Sequence, residues 1–485
     1  MNSAIGYKEA DVVVAGGGPG GTCAAIAAAR TGAKVLLVEQ LGFPGGMFSG
    51  GNMSVANTWP WAGLGKEIFG RLKAMGAAIS HPDDPPNYPV FHFGSYSWRN
   101  VPYDPEMVKI VLFEMLEEAG AKLLFHTYVT GAVREEQAVR GIVVENKSGR
   151  QVICGKIIVD ATADADVAAS MGVEFIKGQG AEKQLFAMTM LVRLGRVDWP
   201  RISAYSKTDP GWDKVIAKAM ANGDLPYYTG RTRDMVPYWG HPRPELAHLW
   251  WEDGALLWGG TVQGVDGTDA ESLTHAEVES RKQWMSEFRF LQKYIPGFEA
   301  ARVEDSGVTV GVRDSRHVVG EYIYSGYDIL EEREFDDTAA YIVPLFLGVP
   351  YRCFVPKGVD NLLIGCRAIS TTPGQTSSGP TLGSYNDMKS IPTVITYGEA
   401  AGTAAGLCAM HGVTPRALDI RLLQDTLRKH GALLDRSASD AIIDEIRPPD
   451  GSSFRQYLQQ RNESLRRHWE QKGYKFFQDR EGAKA

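Results

Sequence analysis

Apolar residues follow two rhythms along this chain. Short unbroken runs, Asp11 to Ala15 (DVVVA), Lys34 to Val38 (KVLLV) and Lys156 to Val159, predict strands buried on both faces of a parallel sheet. Between the first two, the small residues from Thr22 to Thr31 predict a helix that can lie close to that sheet. From Lys122 to Val159 the pattern alternates instead. Lys122–Val129, Gly131–Val133, Ala138–Glu145 and Gln151–Val159, with a turn at Asn146–Gly149, predict an antiparallel meander. Asp104, Pro105 and Glu106 supply a cap, a first-turn proline and an acid for a helix. Val108, Val111, Leu112, Met115 and Leu116 form its apolar face, and Gly120 ends it. A second helix is predicted where Thr274 and Glu277 make a capping pair, with Val278, Met285, Phe288 and Leu291 on one face up to Pro296. The expected class is α/β.

The first strand, helix and second strand enclose a G-x-G-x-x-G run. Gly16 permits the tight turn, Gly18 lets the backbone approach a pyrophosphate, and Gly21 with Ala25 lets the helix pack on the sheet. Pro19 and Gly20, within the glycine run, are further cofactor candidates, and the N-terminal amides and dipole of the following helix favour phosphate. Glu39 closes the second strand where a carboxylate accepts ribose hydroxyls, with Gln40 beside it. Strand, glycines, helix, strand and acid in register predict a bound dinucleotide. The chain then runs through Gly45, Gly46, Met47, Gly50 and Gly51, a second glycine-rich stretch that can pass tightly along an extended ligand.

Two later segments extend the pattern. One is Asp160-Ala161-Thr162-Ala163-Asp164 at a strand end; the other is Val359 to Ser370, followed by the Gly398–Gly402–Gly406 series with Thr403. With these, the chain resembles the FAD-dependent oxidoreductases of the glutathione-reductase-like flavoprotein superfamily, distantly similar to fumarate-reductase flavoproteins. The resemblance spans about Asp11 to Leu434. It matches Glu39 with Gly45–Gly46, the Asp160–Asp164 segment, Gly311-Val-Arg313-Asp-Ser315-Arg316-His317, Asn361 to Arg367, and Lys389-Ser-Ile-Pro392. Ala163 and Cys366 stand where the family usually has Gly, and His317 and Lys389 where it has Arg; Pro373 to Asn386 has no counterpart. The resemblance implies a Rossmann-like FAD-binding domain of the glutathione-reductase ββα type with an inserted α+β substrate or cap domain. It assigns FAD contacts to Val129, Ala161, Thr162, Gly365, Arg367, Gly402 and Thr403, besides the residues above. The FAD is expected to be non-covalent, since no His or Cys lies in the Gly45–Gly51 stretch.

The expected organisation is residues 1–173 and 348–436 for the FAD domain, 174–347 for the inserted domain and 437–485 for a helical extension. In that extension Phe454, Tyr457, Leu458 and Leu465 recur at helical spacing. A solvated helix is favoured there over a subunit contact, which would make a homo-oligomer. Hydrophobic residues are 44% of 485, no apolar run is long enough to span a bilayer, and the N-terminus has no signal pattern; a cytoplasmic location is expected. A net charge of −7 argues against a nucleic-acid partner. The five cysteines show no metal or C-x-x-C spacing, so no metal is expected and they read as core residues.

For chemistry, a flavin needs a C–H bond over its ring N5, a group to take the companion proton, and positive charge near the ring. Val308–Val312 is expected to form an apolar strand that delivers Arg313, Arg316 and His317 at a buried edge, and His317 is the candidate for proton transfer because a His titrates near neutrality. Lys389 is the candidate cation beside the ring. Tyr351, Trp239 and His241 are substrate candidates, the latter two within an aromatic stretch (Tyr227 to Trp258) suited to cover a ring. The expected function is a dehydrogenase or oxidase that moves a hydride from a small, ring-containing substrate to the flavin. Two alternatives stand beside it: a FAD enzyme without net redox change, such as a hydratase or isomerase, and a nucleotide-binding protein that has lost catalysis. No second G-x-G-x-x-G unit follows a strand, so the electron acceptor stays open among oxygen, a quinone and an electron-transfer protein.

Overall fold

The computed structural model describes residues 7–56, 59–78, 101–178, 185–209, 212–226, 245–248, 253–343, 345–373 and 388–445, with isolated positions between 453 and 471. Its larger sheet has seven strands. β1 (Tyr7–Ala15) is followed by helix α1 (Pro19–Arg30) and β2 (Val35–Val38). A short pair, β3 (Val55–Ala56) and β4 (Val101–Pro102), flanks helix α2 (Gly63–Ala74). Helix α3 (Pro105–Ala119) leads to β5 (Lys122–Leu124), and β6 (Tyr128–Glu135), β7 (Ala138–Asn146) and β8 (Gly149–Asp160) form the meander. The order is β5-β2-β1-β8-β7-β6, and β17 (Leu362–Ile364) pairs with β8. β5, β2, β1, β8 and β17 pair in parallel, whereas β6 and β7 pair antiparallel.

The register matters more than the count. Ala15 pairs with Val38 and with Asp160, and Asp160 pairs with Ile364. Four strands therefore end in one row, and Gly16, Glu39, Ala161 and Gly365 all emerge at the same edge. In open parallel sheets, ligands bind in the crevice at that edge.

The smaller sheet has the order β11-β12-β10-β13: β10 (Met188–Gly195), β11 (Glu245–His248), β12 (Ala255–Val262) and β13 (Arg302–Ser306). Two helices, α5 (Trp199–Ser206) and α6 (Asp213–Ala221), follow β10; α4 (Asp166–Ser170) and β9 (Phe175–Lys177) precede it. Helix α7 (Ala270–Tyr294) covers one sheet face. Alternation divides β10: Met188, Met190, Val192 and Leu194 enter the core beneath α7, and Thr189, Leu191 and Arg193 face the other way.

Several expectations change. The apolar cluster under α7 draws on Met188 to Val312, whereas Val318, Tyr324, Ile329, Ala339, Ala340, Ile342, Leu345 and Leu347, expected in the inserted domain, pack into the large core. Helix α7 begins at Ala270, capped by Asp269 through the Ser272 amide (2.7 Å), so Thr274 and Glu277 lie inside it rather than at its start. Glu277 instead accepts the Val310 amide (2.7 Å). Val308–Val312 forms no regular strand: Val308 is exposed, and only Gly311 bridges to β10, at Thr189. The expected α3 is present with its Asp104 cap, and Gly120 takes φ 77° at its end.

Beyond β14 (Arg316–Val318), helix α8 (Gly326–Leu330) and the pair β15 (Thr338–Ile342) and β16 (Leu347–Pro350), the chain returns to β17 and the long helix α9 (Ile391–His411). A Cβ at Gly398 would collide with the Gly20 backbone, and one at Gly402 with the Ala24 backbone. Gly406 faces the Thr31 side chain. The glycine series thus lies in the middle of α9, spaced by four, and lets it touch α1. Gly402 stands at that helix contact, and Thr403 beside it is fully buried.

Candidate functional site

At the row of strand ends, the first glycine run is shaped by backbone contacts. Gly16 has φ 98°, and a Cβ on it would strike the Ala161 carbonyl. Gly20 faces the Gly365 carbonyl and Gly21 the Gly16 carbonyl. Gly18 differs, because no atom stands within 4 Å of the position its Cβ would take. It is also the N-cap of α1 and has no side chain to satisfy the first helical amides. An unobstructed backbone at an uncapped helix start can receive a phosphate.

Glu39 is buried. It accepts the Gly17 amide at 2.5 Å and the Leu41 amide at 2.8 Å. Burial pushes its carboxyl above the ordinary range, with the amides acting in the opposite sense. The second glycine run docks on the first: the Gly45 amide donates to Gly17 O (2.7 Å), and Gly45 and Gly46 take φ 105° and 49°. Met47 packs its thioether end against Gly51 and towards Gly311. Gln40 is exposed beside Glu39, and Val129 is half-buried on β6.

Asp160, fully buried, gathers the next turn. One oxygen accepts the Thr162 amide (3.1 Å) and hydroxyl (2.7 Å), the other the Ala168 amide (2.9 Å); burial lifts its carboxyl to about 6. Ala163 has φ 74°, a left-handed backbone that explains why glycine suits this position.

The four expected catalytic residues do not converge. Arg316 donates to Asp164 O and to Asp166 (2.8 Å each). Arg367 and Ser315 both bond the Asp164 carboxylate at 2.5 Å. His317 is 0% exposed, with Nε2 2.8 Å from Asp314 Oδ1 and Nδ1 2.7 Å from the Thr371 hydroxyl. Both ring nitrogens are engaged inside the protein, so its geometry is that of a buried link between β14 and the Thr371 segment. Arg313 takes another direction: Nη1 donates to Ala187 O (2.7 Å) and Thr189 Oγ1 (2.6 Å). Lys389 stands with Nζ 5.9 Å from the centre of the Phe186 ring. Arg313 and Lys389 thus both approach the Phe186–Thr189 segment, where β10 begins and beside the Met47–Gly311 contact. Tyr351 is buried, and its hydroxyl donates to Pro415 O (3.0 Å), away from these groups. Trp239 and His241 lie outside the described residues, as do the Pro373–Asn386 residues after Pro373.

The residues from 11 to 343 and from 344 to 427 match the profile of the FAD dependent oxidoreductases. The chain belongs to the FAD dependent oxidoreductase family. Among curated proteins, a thiamine thiazole synthase of Methanococcus vannielii is 30% identical over 34% of this chain and 60% of its own length. A menaquinone reductase of Mycobacterium tuberculosis is 26% identical over 54% of this chain and 68% of its own. Thus the chain spans less than two thirds of the first relative. Among solved structures, p-nitrophenol 4-monooxygenase of Pseudomonas putida is 14% identical, with coverage of 94% of this chain and 97% of that one and a TM-score of 0.46.

FAD is the family's cofactor, and the residues fit it. The open face at Gly18, the uncapped start of α1, the buried Glu39 at the end of β2 and the glycine pair against Gly17 offer places for pyrophosphate, ribose and the extended chain. The site residues that pattern reading missed are Asp160, Asp164 and Asn52, which hold backbone turns or partners from distant segments. Asp160 and Asp164 stood inside a recognised segment. For Asn52, its position directly after two glycines was the available signal.

Proposed function

We propose that this FAD dependent oxidoreductase transfers a hydride between a C–H bond of a small organic substrate and its flavin, acting as a dehydrogenase or oxidase. The observation that carries the reading is the approach of both Arg313 and Lys389 to the Phe186–Thr189 segment, next to the glycine loop. Bound FAD would supply the hydride acceptor at its ring N5. Arg313, oriented by Ala187 O and Thr189, would hold an electron-rich oxygen of the substrate, and Lys389 would balance negative charge that develops nearby. Half-buried Trp258 on the adjacent β12 supports a substrate that carries a ring. The name of the menaquinone reductase relative favours a second reading, in which the same groups serve reduction of a conjugated carbonyl compound.

FAD contacts are proposed for Gly16, Gly18, Gly20, Gly21, Glu39, Gly45, Gly46, Met47, Ala161, Thr162 and Gly365, held non-covalently. The test is anaerobic mixing of the purified holoprotein with a panel of alcohols, amines and saturated acids. Bleaching of the yellow flavin bands with matching loss of the donor is expected. Bleaching by none of them, with turnover of conjugated carbonyl acceptors after dithionite reduction, would establish the second reading instead.

A further inference from the structure

We propose that Asp305 is a positioning residue that closes the flavin-side glycine loop onto the substrate sheet. The proposal rests on the FAD site described above and concerns a residue outside its binding set.

Three segments far apart in sequence meet at this one carboxylate. From β10, Arg193 directs Nε to Asp305 Oδ1 (2.8 Å) and Nη2 to Oδ2, a two-pronged pair. From the glycine loop, Asn52 Nδ2 donates to the same Oδ1 at 2.6 Å. Asn52 is buried and left-handed, at φ 58°, directly after Gly50 and Gly51, so its side chain is aimed by a constrained turn. Arg193 also lies 3.8 Å from Asp104, the cap of α3. Asp305 itself sits on β13 opposite Arg193.

Backbone bonds carry the tie onward to the site. The Gly307 amide donates to Leu191 O (2.9 Å), the Val308 amide to Gly50 O (2.8 Å) and the Gly311 amide to Thr189 O (2.9 Å). Residues 305 to 311 are thus laced to the glycine loop on one side and to β10 on the other. Two residues further on stands Arg313, bonded to Thr189. Asp305 fixes the near end of this lacing. Its loss should let the loop part from the sheet and move Arg313 relative to the flavin, while leaving β1, α1 and Glu39 in place.

The test compares Asn52→Ala, Asp305→Ala, Asp305→Asn and the Asn52→Ala/Asp305→Ala double variant, all as FAD-loaded protein. Amide hydrogen exchange is read by peptide, and iodide quenching of the bound flavin's fluorescence reports exposure of the ring. Removing a hydrogen bond to an ionised acceptor should speed exchange of residues 50–55 and 305–311 about tenfold, with residues 12–30 unchanged. Quenching should rise in parallel. The double variant should match Asp305→Ala, because the Asn52 tie is already lost once Asp305 is gone, and Asp305→Asn should fall between it and wild type. Unchanged exchange and quenching in Asn52→Ala and Asp305→Ala, or strictly additive effects, would overturn the proposal. A wild-type protein that holds no FAD would overturn the cofactor assignment and leave the loop exchange data to judge Asp305 separately.

Discussion

His317 shows how a residue with the right chemistry can be placed for another task. Its neighbours in sequence suggested a base, because a His stands where relatives carry an Arg. In the folded chain, β14 turns it inward, and Asp314 and Thr371 take its two nitrogens. Asp314 is itself 1% exposed and depends on this ring for Oδ1. Removing the partner of a buried carboxylate is costly, so His317→Ala should lower stability by about 3 kcal/mol or more in a denaturant titration. The ionisations in the pH profile of flavin reduction should persist in whatever folded protein remains. A variant of wild-type stability that loses one ionisation and reduces its flavin a hundredfold more slowly would restore the role of base. Periodicity could not foresee the outcome. The side to which a short strand turns a residue depends on its pairing with β9, and Thr371 lies 54 positions away.

At the level of elements, the first βαβ unit and α3 were legible because local rules decide them: buried runs, glycines at turns, a cap and a stop. The glycine series of α9 was legible only as close packing, without its partner. Gly398 lies against the Gly20 backbone at the start of α1, whereas Gly406 meets chiefly the Thr31 side chain at the far end. Gly398→Ala should therefore push apart the two helices beside the proposed phosphate site and lower FAD occupancy, measured as flavin per protein after dialysis. Gly406→Ala should retain more flavin, and equal loss in both would remove the link between this contact and the cofactor.

The same helix carries Glu399, fully buried over the first turn of α2, where it accepts the Leu64 amide at 3.2 Å beside a cavity of about 30 Å³. Burial raises its carboxyl to about 7, from an ordinary 4.5. A carboxyl whose pKa is higher folded than unfolded favours the fold when protonated. That contribution is complete below about pH 4.5 and is lost as pH rises through 7. Glu399→Gln keeps an acceptor for Leu64 and removes the charge. Relative to wild type it should gain stability between pH 5 and pH 8, by roughly 3 kcal/mol at most, seen as a smaller fall in Tm over that range. A Tm difference between the two proteins that does not change with pH would show that Glu399 does not titrate there.

Across the whole molecule, the site is assembled from pieces that no local pattern relates. Four strand ends set the edge proposed for the cofactor, and the smaller sheet turns Thr189, Leu191 and Arg193 away from its own core. Arg313 arrives after β13 and Lys389 just before α9, yet both reach the Phe186–Thr189 segment. Their types were legible as cations; their shared approach to that segment required the tertiary fold. If they stand beside the flavin ring, each makes the ring easier to reduce, because reduction adds electrons to a site that already holds positive charge. Arg313→Ala and Lys389→Met should then each lower the midpoint potential of bound flavin by roughly 30 mV, the equivalent of about 1.4 kcal/mol for a two-electron couple. FAD content should stay near wild type, since neither residue lies among the glycines and Glu39 proposed to hold the nucleotide. The combined variant should lower the potential by close to the sum, as the repulsion between the two cations is the same in both oxidation states and cancels from the potential. An equilibrium titration with a reporter dye measures this without knowledge of the substrate. A potential unchanged in both single variants would move the pair away from the ring and leave them as binders of substrate charge alone.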